Sequence, residues 1–225
     1  MRRNTNTDCV VKVGAGRGFI VVHRGKAPPF PARLQRTGIK RASVLERRLV
    51  VTAAHCLPHF PPAHAGAHSI ERTYERILAN LDGSKKDVWA ECLFVDPVAD
   101  IAVLGCPDEE KLSEEADAFS ALIDSVSFLP IGKAKSGPGW VLSLDGRWIP
   151  SRLEISFGAF NVSLSIDPTE AGMSGSPILN DVGQAVGIVA IGAETIGASG
   201  QRENERSGPQ PILARNAPGW MLSDV

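Results

Sequence analysis

The chain has 225 residues, 43% hydrophobic and 22% charged, with 24 Lys+Arg against 25 Asp+Glu and a formal net charge of −1. A chain of this length buries a substantial core, and its composition is that of an ordinary globular protein. The charge balance excludes a long-range field that would draw in nucleic acid or an anionic membrane, so small neutral or peptide partners are expected.

The first residues, Met1-Arg2-Arg3-Asn4-Thr5-Asn6-Thr7-Asp8-Cys9, carry charge without the apolar run of roughly 7–15 residues that an export signal needs. No apolar stretch approaches the ~18 residues of a membrane span. A cytoplasmic protein is the expectation. Short β-branched runs bounded by turn formers follow: Val10–Val13, Gly18–Val22 and Arg48–Thr52. Further strands are predicted at Val88–Val95, Ile101–Leu104, Trp140–Leu144, Leu153–Phe157, Asn161–Ile166, Pro177–Asn180 and Ala185–Ile191. Short strands at this spacing predict an antiparallel sandwich or barrel.

One stretch has another period. From Pro107 to Ile123, Leu112, Ala116, Phe119 and Ile123 form one helical stripe, with acidic residues crowding the first turns. The spacing predicts an amphipathic helix connecting two β halves. Two loops are predicted, the proline-rich and basic Lys26–Lys40 and the histidine-bearing Leu57–His68. His59, His64 and His68 lack helical i, i+4 spacing and a nearby acidic ligand, so they read as exposed loop histidines and no metal is expected. The tail Ala193–Gln210, rich in Gly, Ser, Glu and Arg, reads as mobile. Cys9, Cys56, Cys92 and Cys106 contain no Cys-x-x-Cys pair. They read as small buried thiols, with one disulfide left open.

Three local patterns carry chemistry. In Gly172-Met173-Ser174-Gly175-Ser176-Pro177, glycines on both sides of a serine allow a tight turn and close approach of backbone to a substrate. The amides of Gly172 and Ser174 can converge there on a developing oxyanion, each such donor being typically worth ~3–4 kcal/mol of barrier. A serine hydroxyl needs a base to become a nucleophile. His55, in Thr52-Ala53-Ala54-His55-Cys56, follows an apolar β-run and small alanines that hold it in place. Asp100 heads the apolar run Ile101-Ala102-Val103-Leu104, where an ionised carboxylate is costly without a partner. Asp96, before Pro97, is its rival. Taken singly, each also has a plain structural reading: a Gly/Ser turn, a packed histidine and a turn aspartate.

Together these runs resemble the trypsin-like (chymotrypsin-fold) serine peptidases, in the order His, Asp, Ser. The resemblance covers about residues 9 to 192. It implies an all-β fold of two packed antiparallel six-stranded barrels with a connecting helix and an active site in the cleft between them. Residues 1–106 would carry His55 and Asp100, 107–125 would connect, and 126–225 would carry Ser174. The implied activity is that of a serine endopeptidase with a His55, Asp100, Ser174 triad and an oxyanion hole at Gly172 and Ser174, needing no cofactor.

Departures from the family pattern narrow this expectation. Extracellular members pair a processed N-terminus with an aspartate just before the nucleophile; that position here is Met173. No cysteine lies where the usual histidine-loop disulfide would form, and the Gly-x-Ser-Gly-Ser-Pro form looks like bacterial intracellular members. No PDZ domain is expected after residue 192. By resemblance, Pro168, Thr169 and Glu170 fall on one wall of the primary pocket, and Val189, Ala190, Ile191 and Gly192 on the segment that pairs with substrate backbone. No aspartate occupies the pocket base, so a small-to-medium apolar preference is expected over Arg or Lys. Two other readings stand beside the endopeptidase: a peptide-binding module that captures by strand addition, and a latent protease switched on by an activating partner.

Overall fold

The computed structural model describes residues 7–26, 44–62, 64, 66–164, 168–191, 194–195 and 208–222. Six strands form the first half: β1 (Val10–Val13), β2 (Gly16–Lys26), β3 (Val44–Thr52), β4 (Thr73–Asn80), β5 (Val88–Asp96) and β6 (Ile101–Gly105). They close into a barrel in the order β1-β2-β3-β6-β5-β4. Each predicted strand of this half is present, and β2 and β3 extend well beyond their apolar centres. The exception is β4, which carries no alternating pattern. Its register shifts between Tyr74 and Leu78, and Arg76 sits in the left-handed region at φ 53. This bulge sets Glu75 and Arg76 side by side on the exposed face and breaks the period of two on which a strand is read.

Helix α1 spans Ser113–Asp124, six residues later than the start predicted at Pro107. Asp108 explains the delay. Its Oδ1 accepts the Glu110 amide at 3.1 Å and its carbonyl accepts the Lys111 and Leu112 amides, so the acidic run first makes a turn. The apolar stripe then buries Ala116, Phe119, Leu122 and Ile123.

The second half is a curled six-stranded sheet. It comprises β7 (Gly137–Leu142), β8 (Trp148–Ser156), β9 (Ala159–Leu164), β10 (Pro177–Asn180), β11 (Ala185–Ile188) and β12 (Glu194–Thr195), in the order β11-β10-β7-β8-β9-β12. The fold class matches the expectation, with one difference: among the described residues this sheet is not closed by hydrogen bonds, and its last pair, β9 with β12, is parallel. Two apolar cores result. The larger fills the barrel and receives α1; the smaller is built on Val141, Leu153, Phe160, Met173, Ile178 and Val186. A short helix, α2 (Leu213–Asn216), follows the sheet. Among the described residues no helix is long and apolar enough to cross a membrane. All four cysteines are free. His59, His64 and His68 are exposed. Most of the loop predicted at 26–40, and 196–207 of the predicted mobile tail, lie outside the described residues.

Candidate active site

The register of the barrel brings His55 and Asp100 together. Strand β3 pairs with β6 so that Thr52 faces Ala102. His55 lies three residues beyond Thr52, in a short 3-10 turn at Ala54–Cys56, and Asp100 two residues before Ala102, so both leave the barrel at one edge. The Ala54 amide donates to the Asp100 carbonyl at 3.2 Å. The Asp100 carboxylate then holds His55 twice: Oδ1 accepts the His55 backbone N–H at 2.9 Å, and Oδ2 lies 2.6 Å from Nδ1. To reach this position Asp100 adopts φ 54, a strained conformation for a residue with a Cβ. The imidazole itself is about half exposed (48%) and open to an incoming group. The rival aspartate is occupied elsewhere. Asp96 Oδ1 accepts the amides of Val98 and Ala99 at 2.9 and 3.0 Å, closing the turn that carries Asp100.

Ser174 stands in the turn between β9 and β10 and is tied to the barrel through its main chain. The Arg17 amide donates to the Ser174 carbonyl at 2.7 Å, and Cys56 Sγ lies 3.7 Å from the same oxygen. Arg17 directly precedes Gly18, which pairs with Thr52, so the serine turn meets the edge from which His55 projects. Among the described residues Ser174 Oγ makes no hydrogen bond, and the imidazole is bonded to Asp100. Ser176, the other serine of the motif, is fully buried and out of reach of any substrate.

Only glycine fits position 175. Its φ is +81, and a Cβ there would lie 1.8 Å from the Arg17 carbonyl oxygen and 2.7 Å from Thr52 Oγ1. Gly172 also has a left-handed φ, +97. The amides of the turn divide into two groups. Those of Met173, Gly175 and Ser176 donate to the carbonyls of Glu170, Val189 and Met173, whereas those of Gly172 and Ser174 have no acceptor among the described residues. Two unspent donors on one turn are what an incoming oxyanion requires. Met173, at the position where the family pattern has an aspartate, is 1% exposed and packed in the second core.

Two residues of this region carry no sequence signal strong enough to single them out. Arg17, in Ala15-Gly16-Arg17-Gly18, is only 7% exposed. Its Nη1 and Nη2 donate to the carbonyls of Ser143 and Leu144 at 2.7 and 2.9 Å, while its own carbonyl accepts from Thr52 Oγ1 at 2.6 Å. Burial lowers its pKa from the ordinary arginine value, against the opposing effect of Asp145. Gln210 is the second; its only local mark is a proline on each side.

Of the residues expected to contact substrate, Pro168 is exposed and Thr169 half-buried, at the start of the segment leading to the serine turn. The exposed Glu170 lies next to them. Val189 is buried and Ala190 half-buried, while Ile191 is 44% exposed. Gly192 lies outside the described residues. Val189 is bonded to the serine turn by both main-chain groups, with Gly175 N–H donating to its carbonyl at 2.7 Å and its own N–H to Ser176 at 2.9 Å. A cavity of about 520 Å³ lies between α1 and strands β3 and β5; none of the residues discussed as a site lines it. Among the described residues no group of three or more His, Cys, Asp or Glu is arranged to hold a metal ion.

A family model described as a trypsin-like peptidase domain matches residues 37–188, well over half of the chain. Among solved structures, the Rv3671c protease in its inactive form is 18% identical, the likeness covering 96% of this chain and 88% of that one at a TM-score of 0.48. The apo protease domain of MamO from Magnetospirillum magneticum is 13% identical, over 95% of this chain and 96% of that one, at a TM-score of 0.44. No curated protein sequence matches significantly.

Proposed function

The chain belongs to the trypsin-like peptidase domain family, and from that premise we propose that it is a serine endopeptidase working through an acyl-enzyme. The observation that carries this reading is the double grip of Asp100 on His55. With Nδ1–H donated to the carboxylate, Nε2 keeps a free lone pair directed away from Asp100. His55 Nε2 takes the proton of Ser174 Oγ as that oxygen attacks the substrate carbonyl. The amides of Gly172 and Ser174 receive the oxyanion. His55 then returns the proton to the leaving amine as the C–N bond breaks. A water repeats the sequence in reverse and releases the acid.

The substrate class is protein or peptide, with Pro168 and Thr169 walling the primary pocket and the segment from Val189 to Gly192 pairing with substrate main chain. A small-to-medium apolar side chain suits a pocket with no basal aspartate. No organic cofactor or metal takes part, and neither nucleic acid nor membrane is a partner. Four free thiols favour a reducing, cytoplasmic setting.

One observation favours a second reading, a latent enzyme completed by an activating partner: Ser174 Oγ has no hydrogen bond to the imidazole among the described residues. Apo geometry of this kind tightens in productive complexes. Labelling with a fluorophosphonate tests both readings. The endopeptidase reading expects the isolated chain to label, Ser174→Ala to abolish labelling and Ser176→Ala to retain it. Labelling only after lysate is added identifies the latent form. No labelling under either condition leaves a peptide-binding module.

A further inference from the structure

The segment Ala190–Ile191 continues beyond the end of β11, yet among the described residues no neighbouring strand supplies its hydrogen bonds. A single side chain does. Gln210, 4% exposed, places Oε1 at 2.8 Å from the Ala190 amide and 3.2 Å from the Ile191 amide, and donates from Nε2 to the Ile191 carbonyl at 2.7 Å. The remaining Nε2 hydrogen points toward the Gly208 carbonyl at 3.5 Å. Both donors and both acceptor positions of the carboxamide are thereby engaged, so no capacity is left for reading a substrate side chain.

The support is itself rigid. Pro209 and Pro211 flank Gln210, restricting φ on both sides and holding the residues before them extended. The Gln210 amide donates to the Phe160 carbonyl at 2.6 Å, and Ile212 bridges to Gly187 on β11. Gly208 packs so closely on Ile191 that a Cβ would lie 3.1 Å from its Cδ1.

We propose that Gln210 is a positioning residue that takes the place of a neighbouring strand, fixing the peptide units of Ala190 and Ile191 so that the outer Ala190 carbonyl can pair with the main chain of a peptide substrate. This deepens, and rests on, the endopeptidase reading. Across a trans peptide unit the C=O points opposite to the N–H of the following residue. With the Ile191 N–H and C=O facing Gln210, the Ala190 carbonyl, which has no donor among the described residues, is left on the outer side.

Two variants and three readouts test this. In Gln210→Leu the amides of Ala190 and Ile191 lose their acceptor, and their hydrogen exchange should quicken by about tenfold or more while the Gly175 amide, bonded to Val189, is unchanged. Cleavage of a tetrapeptide p-nitroanilide should lose about tenfold in kcat/KM, chiefly through KM, with fluorophosphonate labelling of Ser174 within about twofold of wild type. Gln210→Glu keeps the shape but sets an oxygen against the Ile191 carbonyl, and should fail like the leucine variant; a space-filling role would leave it active. Unchanged exchange in both variants overturns the proposal, as does a parallel fall of labelling and peptide cleavage. A wild-type chain that neither labels nor cleaves ends the endopeptidase reading, and the exchange experiment still decides whether Gln210 braces the segment.

Discussion

At the scale of single residues, Asp100 combines backbone strain with a double hydrogen bond, and the two make a sharp prediction. Asparagine tolerates the left-handed region about as well as aspartate, so Asp100→Asn should fold with a melting temperature close to wild type. Its oxygen can still accept the His55 backbone N–H. Its nitrogen, however, would donate to Nδ1, forcing the imidazole proton onto Nε2 and removing the lone pair that must accept the Ser174 proton. Peptide turnover should fall by about 10⁴-fold, the loss typical of a triad aspartate. Retention of more than about a tenth of wild-type turnover would contradict the assigned role. The adjacent Asp96 carries the same charge and is spent on the Val98 and Ala99 amides; chemistry alone does not separate the two carboxylates.

Between elements, the contact that joins the two halves beside Ser174 runs through Arg17 on β2. Its guanidinium reaches the carbonyls of Ser143 and Leu144 in the β7–β8 turn, and its amide holds Ser174. Leu144 in turn stands 3.4 Å from where a Cβ on Gly172 would be. One arginine thus connects the barrel, the β7–β8 turn and the serine turn. Replacing it by alanine removes both side-chain donors from these carbonyls, and the expected cost is about 2–4 kcal/mol in urea denaturation. Arg17→Lys should recover part of that loss, since an ammonium supplies donors without the planar fork. Equal stability of the alanine variant and wild type would show the contact to be incidental.

For the molecule as a whole, the cysteines report on the cores. Cys9 and Cys92 lie in the barrel core, and burial pushes both thiols up to about 11. Burial also raises Cys56 and Cys106, and Cys106 is the one cysteine partly exposed. Thiolate is the reactive form, so a raised pKa and a closed core both slow modification near pH 8. A disulfide reagent should modify no more than one thiol of the native chain quickly, Cys106, and all four in denaturant. Rapid reaction of two or more native thiols would contradict the closed barrel.

The sequence by itself determined the β-rich class and the mid-chain helix, and it singled out Ser174, His55 and the glycines around the serine as the candidates on which the proposed function rests. These follow from local facts: side-chain period, turn chemistry and the conformational freedom that positions 172 and 175 demand. Strands β1 and β10 were legible to their ends because their apolar runs stop at turn formers. Strand β4 was not, since its bulge removes the alternation on which a strand is read. The family resemblance already favoured Asp100 over Asp96, but only the tertiary structure shows how Asp100 meets the imidazole, through the β3–β6 register. Only it could single out Arg17, whose carbonyl partners lie 126 and 127 residues away, and Gln210, which acts on a segment 19 and 20 residues distant. Hydrogen bonds between groups that far apart in the chain leave no periodic trace, so they appear only once the sheets have brought the groups together.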